Sequence, residues 1–393
     1  MRVLISGAGI AGPILAYWLA HHGFTPTIVE KAPRLRTGGY IIDFWGAGFD
    51  IADRMGLLPE IRRKGYMVQE LKVVNQNGER VAGFSVEAVF RATGGRYISL
   101  PRAELAASIF ETIDGKVEAM FGNSVTRIEQ KERTVRVAFK RGPEREFDLV
   151  IGADGLHSEV RELAFGAQDQ FEKYLGYKVA AFEVEGYWPR DELVYVMYTE
   201  VHQQVGRFTM RGGRTLFLFT FADGDPGTGD PRAQKALLRK RFGNSGWECP
   251  RILDALDSSS DLYFDRVSQI HMEERTGMWT QGRVALLGDA ASCVSLLAGQ
   301  DSALAMVAAY ILAGELHRAG GDHSQAFARY QRLFAPFVQG KQKAALRFAG
   351  FFAPKSKAAL ILRNQVMKLF RIPWVANFTI ASEITDKLTL PKY

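Results

Sequence analysis

Gly7-Ala8-Gly9-Ile10-Ala11-Gly12 follows the apolar run Val3-Leu4-Ile5 at once, a spacing suited to holding a pyrophosphate. Gly7 allows a tight turn, Gly9 lets a phosphate approach the backbone, and Gly12 lets the next helix pack closely on the strand. Ile10 and Ala11 open that helix, whose free N–H groups and partial positive charge favour phosphates. Glu30 lies 18 positions after Gly12, at the end of the strand Thr27-Ile28-Val29, where it is placed to accept hydrogen bonds from an adenosine ribose. An acid there disfavours a 2′-phosphate, so the resident nucleotide is expected to be FAD or NAD rather than NADP. A ligand-free packing turn is the rival reading; the strand before, the helix after and Glu30 in register favour the nucleotide.

Those residues need a βαβ opening to position them, and the pattern supplies one. Ile14, Leu15, Trp18 and Leu19 recur on one face of a helix predicted from Pro13 to His22. Downstream, Lys31 to Gly39 form a basic, glycine-rich loop, Tyr40–Asp43 a strand, and Gly46–Met55 a short helix. Leu71–Val74 and Arg80–Phe84 flank Asn77-Gly78, a hairpin signal. Tyr97–Arg102 leads into a helix carrying Leu105, Ile109 and Phe110. Strands are predicted at 117–121, 124–130, 135–140 and 146–151, the last ending in Gly152-Ala153-Asp154-Gly155.

From about Tyr174 to Phe221 the pattern changes to four longer strands with tight turns, read as an antiparallel substrate-binding sheet inserted into the first domain. Gly282–Asp289 then returns as a strand of the first sheet. Helices are predicted from about Ser302 to Arg318, Ser324 to Phe352 and Lys355 to Phe370, with Pro354 between the last two. The predicted class is α/β: a Rossmann-like FAD-binding domain, discontinuous over 1–173 and 265–352, a β-sheet substrate domain over 174–264, and a C-terminal helix, 353–393, bracing both.

Composition narrows the classes. With 393 residues, 47% apolar and 24% charged, the chain reads as an ordinary globular enzyme large enough for two or three units. No apolar run of about 18 residues occurs, so a membrane span is not expected. Two cysteines without metal-ligand spacing exclude a disulfide scaffold and a cysteine-based metal site, and point to a cytoplasmic chain. The net charge of +7 is spread without a basic block, which argues against nucleic acid.

Three distant stretches, Gly7–Gly12, Asp148–Arg161 and Gly282–Gln300, together resemble the three fingerprints of the FAD-dependent aromatic hydroxylases, the p-hydroxybenzoate hydroxylase family of flavoprotein monooxygenases. Within it the chain looks most like the tetracycline-inactivating and polyketide-modifying members, on the Arg36–Asp43 loop, the Arg102 helix and the final helix. The resemblance implies that Glu30 and Lys31 hold the adenosine end, that Asp43 and Arg102 lie along the flavin and its ribityl chain, and that the backbone near Val125 meets the adenine. Asp289 would bind ribityl hydroxyls, and Gly299, Gln300, Asp301 and Ser302 would face the flavin pyrimidine ring. Asp154 and Arg161 belong to the middle fingerprint, which serves FAD and the pyridine nucleotide; Arg36 and Arg161 are its NADPH candidates. Tyr198, Gln203, Arg207, Phe208 and Met210 are substrate candidates by strand position.

Structural readings stand beside these: a strand-ending turn for Asp154, a helix cap for Asp289, solvated surface bases for Arg36 and Arg102. Ser292, Ser295, Asp301 and Ala303 replace residues usual in the third fingerprint. A carboxylate at Asp301 would oppose an anionic reduced flavin, so its side chain is expected to turn away from the ring.

The implied chemistry is reduction of FAD by NADPH or NADH, formation of a flavin C4a-hydroperoxide with O₂, and oxygen transfer to an aromatic or polyketide-like small molecule, with no protein nucleophile and no metal. A reductase of the same fold and a flavin-binding protein with little turnover are the competing functions. A monomer or weak homodimer without a membrane partner is the expected state.

Overall fold

The computed structural model describes residues 1–36, 38–259, 261–272, 277–295, 299, 301–369 and 388–393. The apolar run at the start becomes the strand Arg2–Ser6, the centre of a six-stranded sheet. Thr25–Glu30 pairs with it on one side and Leu149–Gly152 on the other, both parallel, and Val284–Leu286 continues the sheet beyond Leu149–Gly152, also parallel. Continuous apolar runs suit strands covered on both faces, and Val3–Ile5, Leu149–Ile151 and Val284–Leu286 are fully buried. One covering helix, Ala11–His21, buries Ile14, Leu15 and Leu19 as its periodicity predicts. Another, Asp301–Arg318, is buried along almost its whole length and packs against the first.

A seven-stranded sheet forms the second layer, in the order Leu262–Ile270, Glu172–Glu185, Arg214–Ala222, Gln203–Thr209, Val194–Glu200, Glu70–Val74, Arg80–Ser85. The four predicted long strands are present and antiparallel to one another. The hairpin with the Asn77-Gly78 turn, far back in the sequence, joins this sheet: Glu70–Val74 pairs parallel with Val194–Glu200. The helices Pro231–Phe242 and Cys249–Ser258 cover one face, where Phe182, Phe217, Phe219 and Phe221 pack against Leu238, Phe242 and Ile252.

Two departures from the sequence pattern bear on the sheets. The predicted strand at 146–151 is two strands, Arg145–Phe147 and Leu149–Gly152, because the carboxylate of Asp148 accepts from the Arg2 N–H at 2.6 Å and turns the chain between sheets. Leu262–Ile270, unmarked in the sequence pattern, is an edge strand paired with Glu172–Glu185. The final helix spans Lys357–Leu369 and seats Met367 against Val73, Ala82 and Met197 of the second sheet.

Candidate active site

Three neighbouring parallel strands end at the same edge of the first sheet, and each hands the chain to one of the three motifs. Arg2–Ser6 runs into the glycine turn, Leu149–Gly152 into Ala153-Asp154, and Val284–Leu286 into Gly288-Asp289. Backbone bonds tie the three ends together, Ala153 N–H donating to Ser6 O at 2.7 Å and Leu287 N–H to Gly152 O at 2.8 Å, while Gly7 N–H donates to Val29 O of the neighbouring strand at 2.7 Å. Ligands of open α/β sheets bind beyond the carboxyl ends of the strands, and a cleft opens there, running from Glu30, Lys31 and Asn123 to Arg102, Asp289 and Asp301.

The glycine turn is built for close approach. Gly7 has φ +109°, and a Cβ on it would lie 2.4 Å from Ala153 O, so no other residue fits. At Gly12 a Cβ would meet Gly7 O at 2.0 Å, which is the close helix-on-strand contact expected. A Cβ on Gly9 would meet nothing nearer than the Arg102 guanidinium at 3.9 Å, so the backbone there lies open to the cleft. Helix Ala11–His21 has no side-chain cap and no acid in its first turn, leaving its N-terminal N–H groups to a ligand.

At the outer end Glu30 accepts from the Ala8 and Ala32 N–H groups, both at 2.8 Å, and Lys31 pairs with Glu159 at 3.9 Å. At the inner end the charges are crowded. Burial raises the pKa of Asp289 against the pull of the Arg102 guanidinium, and burial with the charge of Asp289 raises that of Asp301 well above the carboxylate range. Burial disfavours the charged form of Arg102, but Tyr40, Asp289, Tyr263 and Asp301 hold its pKa above the ordinary value. The buried Cys293 thiol is pushed well up by burial and these carboxyls, as befits a packed side chain rather than a nucleophile.

The predicted residues divide. Gly7, Gly9, Ile10, Ala11, Glu30, Lys31, Arg36, Arg102, Asp154, Asp289, Asp301 and Ser302 all line the cleft. Asp154 also serves structure, accepting from Ser158 Oγ and from the Val160 N–H at 3.1 Å. Gly299 is exposed, with φ +66°, and Gln300 lies outside the described residues.

Several expectations need correction. Val125 is buried in the core, and the neighbouring Asn123 and Ser124 line the cleft instead. Asp43 lies off the cleft lining in a network that accepts from Tyr97 Oη at 2.7 Å and from Ser99 Oγ. Arg161 is fully buried and donates to Ala290 O at 3.0 Å and Leu156 O at 2.6 Å, so it clamps the second motif to the third and cannot meet a nicotinamide phosphate. Asp301 lines the cleft, with a carboxyl oxygen within 4.8 Å of one of Asp289.

Tyr198, Gln203 and Arg207 project to the helix-covered side of the second sheet. Tyr198 Oη donates to Glu200 at 2.6 Å, Gln203 donates to Ser245 Oγ at 2.8 Å, and Arg207 is ion-paired with Glu248 and Asp191. Phe217 and Phe219 face the same way. Phe208 and Met210 point to the other side, in an aromatic cluster with Tyr66, Tyr97 and Tyr195. The sequence reading missed Tyr263 and Asp265, which line the cleft from the edge strand Leu262–Ile270. The Leu262-Tyr263-Phe264 run was their only signal, and Asp265-Arg266 interrupts it.

A parallel sheet whose glycine turn and two aspartates open on one elongated cleft defines a dinucleotide-binding enzyme, and the donor set fits FAD along its length. Residues 1–339 match a family model described as FAD binding domain, and the chain belongs to that family, as an FAD-dependent monooxygenase. It is 36% identical over 400 residues to a flavin-dependent monooxygenase of an unknown prokaryotic organism, covering 100% of this chain and 99% of the relative. An uncharacterized protein of Mycobacterium tuberculosis is 38% identical over 347 residues, covering 86% of this chain and 91% of that one. The crystal structure of the tetracycline destructase Tet(51) superposes with a TM-score of 0.84 at 32% identity, covering 100% of this chain and 99% of that one.

Proposed function

We propose that this monooxygenase uses NADPH or NADH and O₂ to hydroxylate an aromatic or polyketide-like small molecule, with FAD held in the cleft between Glu30 and Asp301. The observation that supports this most is the convergence of three strand ends on that cleft beneath the aromatic inner face of the second sheet. FAD, when bound, supplies electron transfer and oxygen activation. The protein's part is to bind and exclude water: Glu30 takes the ribose, the helix Ala11–His21 the pyrophosphate, Asp289 the ribityl hydroxyls, and the N-terminus of Asp301–Arg318 the flavin ring. Arg36, exposed at the cleft mouth, is the candidate for the nicotinamide nucleotide.

Tyr40 and Tyr263, whose rings lie 5.5 Å apart on the cleft wall, with Phe208 and Met210 behind them, favour a large planar substrate. The likeness to a tetracycline destructase supports a polyketide. The substrate domain is read as residues 174–264, extended by the hairpin at 70–85 and the edge strand to Ile270. A cytoplasmic monomer or weak homodimer, without membrane or nucleic acid, completes the reading; none of the described helices is long and apolar enough to cross a membrane.

The test is O₂ consumption coupled to NAD(P)H oxidation across a panel of tetracyclines, anthraquinones and simple phenols. At least one polycyclic compound should accelerate both. NAD(P)H oxidation without O₂ consumption would favour a reductase of the same fold, and no acceleration by any compound would favour a flavoprotein with little turnover.

A further inference from the structure

The carboxyls of Asp289 and Asp301 are brought together from two different elements, the strand end at Gly288 and the first residue of the helix Asp301–Arg318. Each offers an oxygen within 4.8 Å of the other and of the Cys293 thiol. Two carboxylates this close, out of bulk water, cannot both ionise cheaply. Their environments differ. Arg102 draws both toward ionisation, but Oδ1 of Asp301 is buried without a hydrogen-bond partner among the described residues. The backbone of Ser295 stabilises the Asp301 carboxylate, as does the helix dipole, but burial and Asp289 oppose it more strongly. The other titratable groups facing the pair are Tyr40, Tyr263, Asp265 and Cys293. Asp265 is engaged by His157 at the rim, and burial raises the pKa of both tyrosines and of the thiol.

We infer that Asp301, paired with Asp289, is a proton-holding residue that, at a pH high enough to leave it ionised beside oxidised FAD, takes up one proton when that FAD is reduced. The inference rests on the reading that the flavin end of FAD lies at Asp301. A reduced nicotinamide gives its hydride, which carries both electrons and the one proton that stays on the cofactor. The cofactor then bears an added negative charge, which makes the ionised form of Asp301 less favourable still. A second proton, from solvent, adds to Asp301 Oδ1 and neutralises the carboxylate, so the charge at this end of the cleft is unchanged by the two-electron reduction. An Asn at 301 keeps the shape and a neutral donor but cannot take the proton.

The experiment is the reduction potential of the bound flavin against pH, for wild type and Asp301→Asn, on protein whose visible absorbance shows stoichiometric FAD. Wild type should show a pH window in which two protons are taken up per two electrons, and Asp301→Asn only one, so that the slope there halves. The absorbance of the reduced flavin reports its own protonation and should indicate the anionic form in both proteins. Equal slopes in the two proteins, a second proton found on the flavin itself, or a one-proton slope in wild type at every pH would overturn the inference. If Asp301→Asn does not retain FAD, the wild-type slope and reduced-flavin spectrum decide alone. Failure of the underlying reading is a different result, wild-type protein that binds no FAD.

Discussion

Two of the buried groups of charges in this molecule are built to opposite rules. On the helix-covered side of the second sheet, Arg207 is almost wholly buried, with its guanidinium shared between Glu248 and Asp191 and lying over the Trp247 ring at 5.6 Å. Glu248 also accepts from Tyr187 Oη at 2.9 Å, and Lys72 sits 3.8 Å from Asp191, so opposite charges face one another throughout. On the cleft floor, Asp289 and Asp301 face each other with Arg102 as their nearby cation, and an Asp301 oxygen has no partner among the described residues. A paired cluster holds two layers together. A cluster left short of partners has a free energy that falls when a ligand or a proton arrives, which is the property a binding site needs.

The sharpest way to break the comparison is at Arg207. Arg207→Ala leaves the partly exposed Glu248 and Asp191 without their buried cation and should lower stability by less than the ~3–5 kcal/mol of a fully buried pair, read as a fall in the urea midpoint, while the FAD affinity of the folded fraction is unchanged. A loss of FAD affinity would mean that the two clusters are not separate.

Asp301→Asn should act in the opposite sense on the cofactor-free protein. The folded-state pKa of Asp301 is raised, so its contribution to stability is complete below the unfolded value and is lost as pH rises toward the folded one. The melting temperature of the Asn variant minus that of wild type should therefore grow from acid to neutral pH. A difference that is flat or shrinks with pH would contradict a raised Asp301 pKa.

Tyr198→Phe removes one hydrogen bond to Glu200 and should cost about 1 kcal/mol of stability, with the KM for any substrate unaltered. A raised KM would return Tyr198 to the substrate site. Arg36→Ala should leave stability and FAD content alone and raise only the NADPH concentration needed to half-saturate flavin reduction.

What the sequence made legible follows from how local each signal is. The βαβ opening, the hairpin and the three strand-ending motifs are set by neighbouring residues, because glycine turns and apolar runs carry their own geometry. Alternation along Gln203–Thr209 showed that Phe208 lies opposite Arg207, but not which side faces the cleft, since the covering helices come from residues 231–258. Arg161 read as a phosphate ligand because its buried acceptor, Ala290 O, lies 129 positions away. Asp43 read as a flavin contact because its partners Tyr97 and Ser99 arrive on the antiparallel strand Tyr97–Pro101. The Asp289–Asp301 pair was hidden for the same reason: each aspartate has a plain local reading, as a strand end or a helix start, and only the fold sets them side by side.

The central claim is that the glycine turn and the Gly288-Asp289 turn are two ends of one FAD site. Equilibrium titration of cofactor-free protein with FAD, for wild type, Glu30→Ala and Asp289→Ala, tests it most directly, with circular dichroism to confirm that each is folded. Wild type should bind FAD stoichiometrically, and each variant should bind at least tenfold more weakly, the loss of about 1.4 kcal/mol expected for one charged hydrogen-bonding group. Full stoichiometric binding with wild-type affinity in both variants would contradict it.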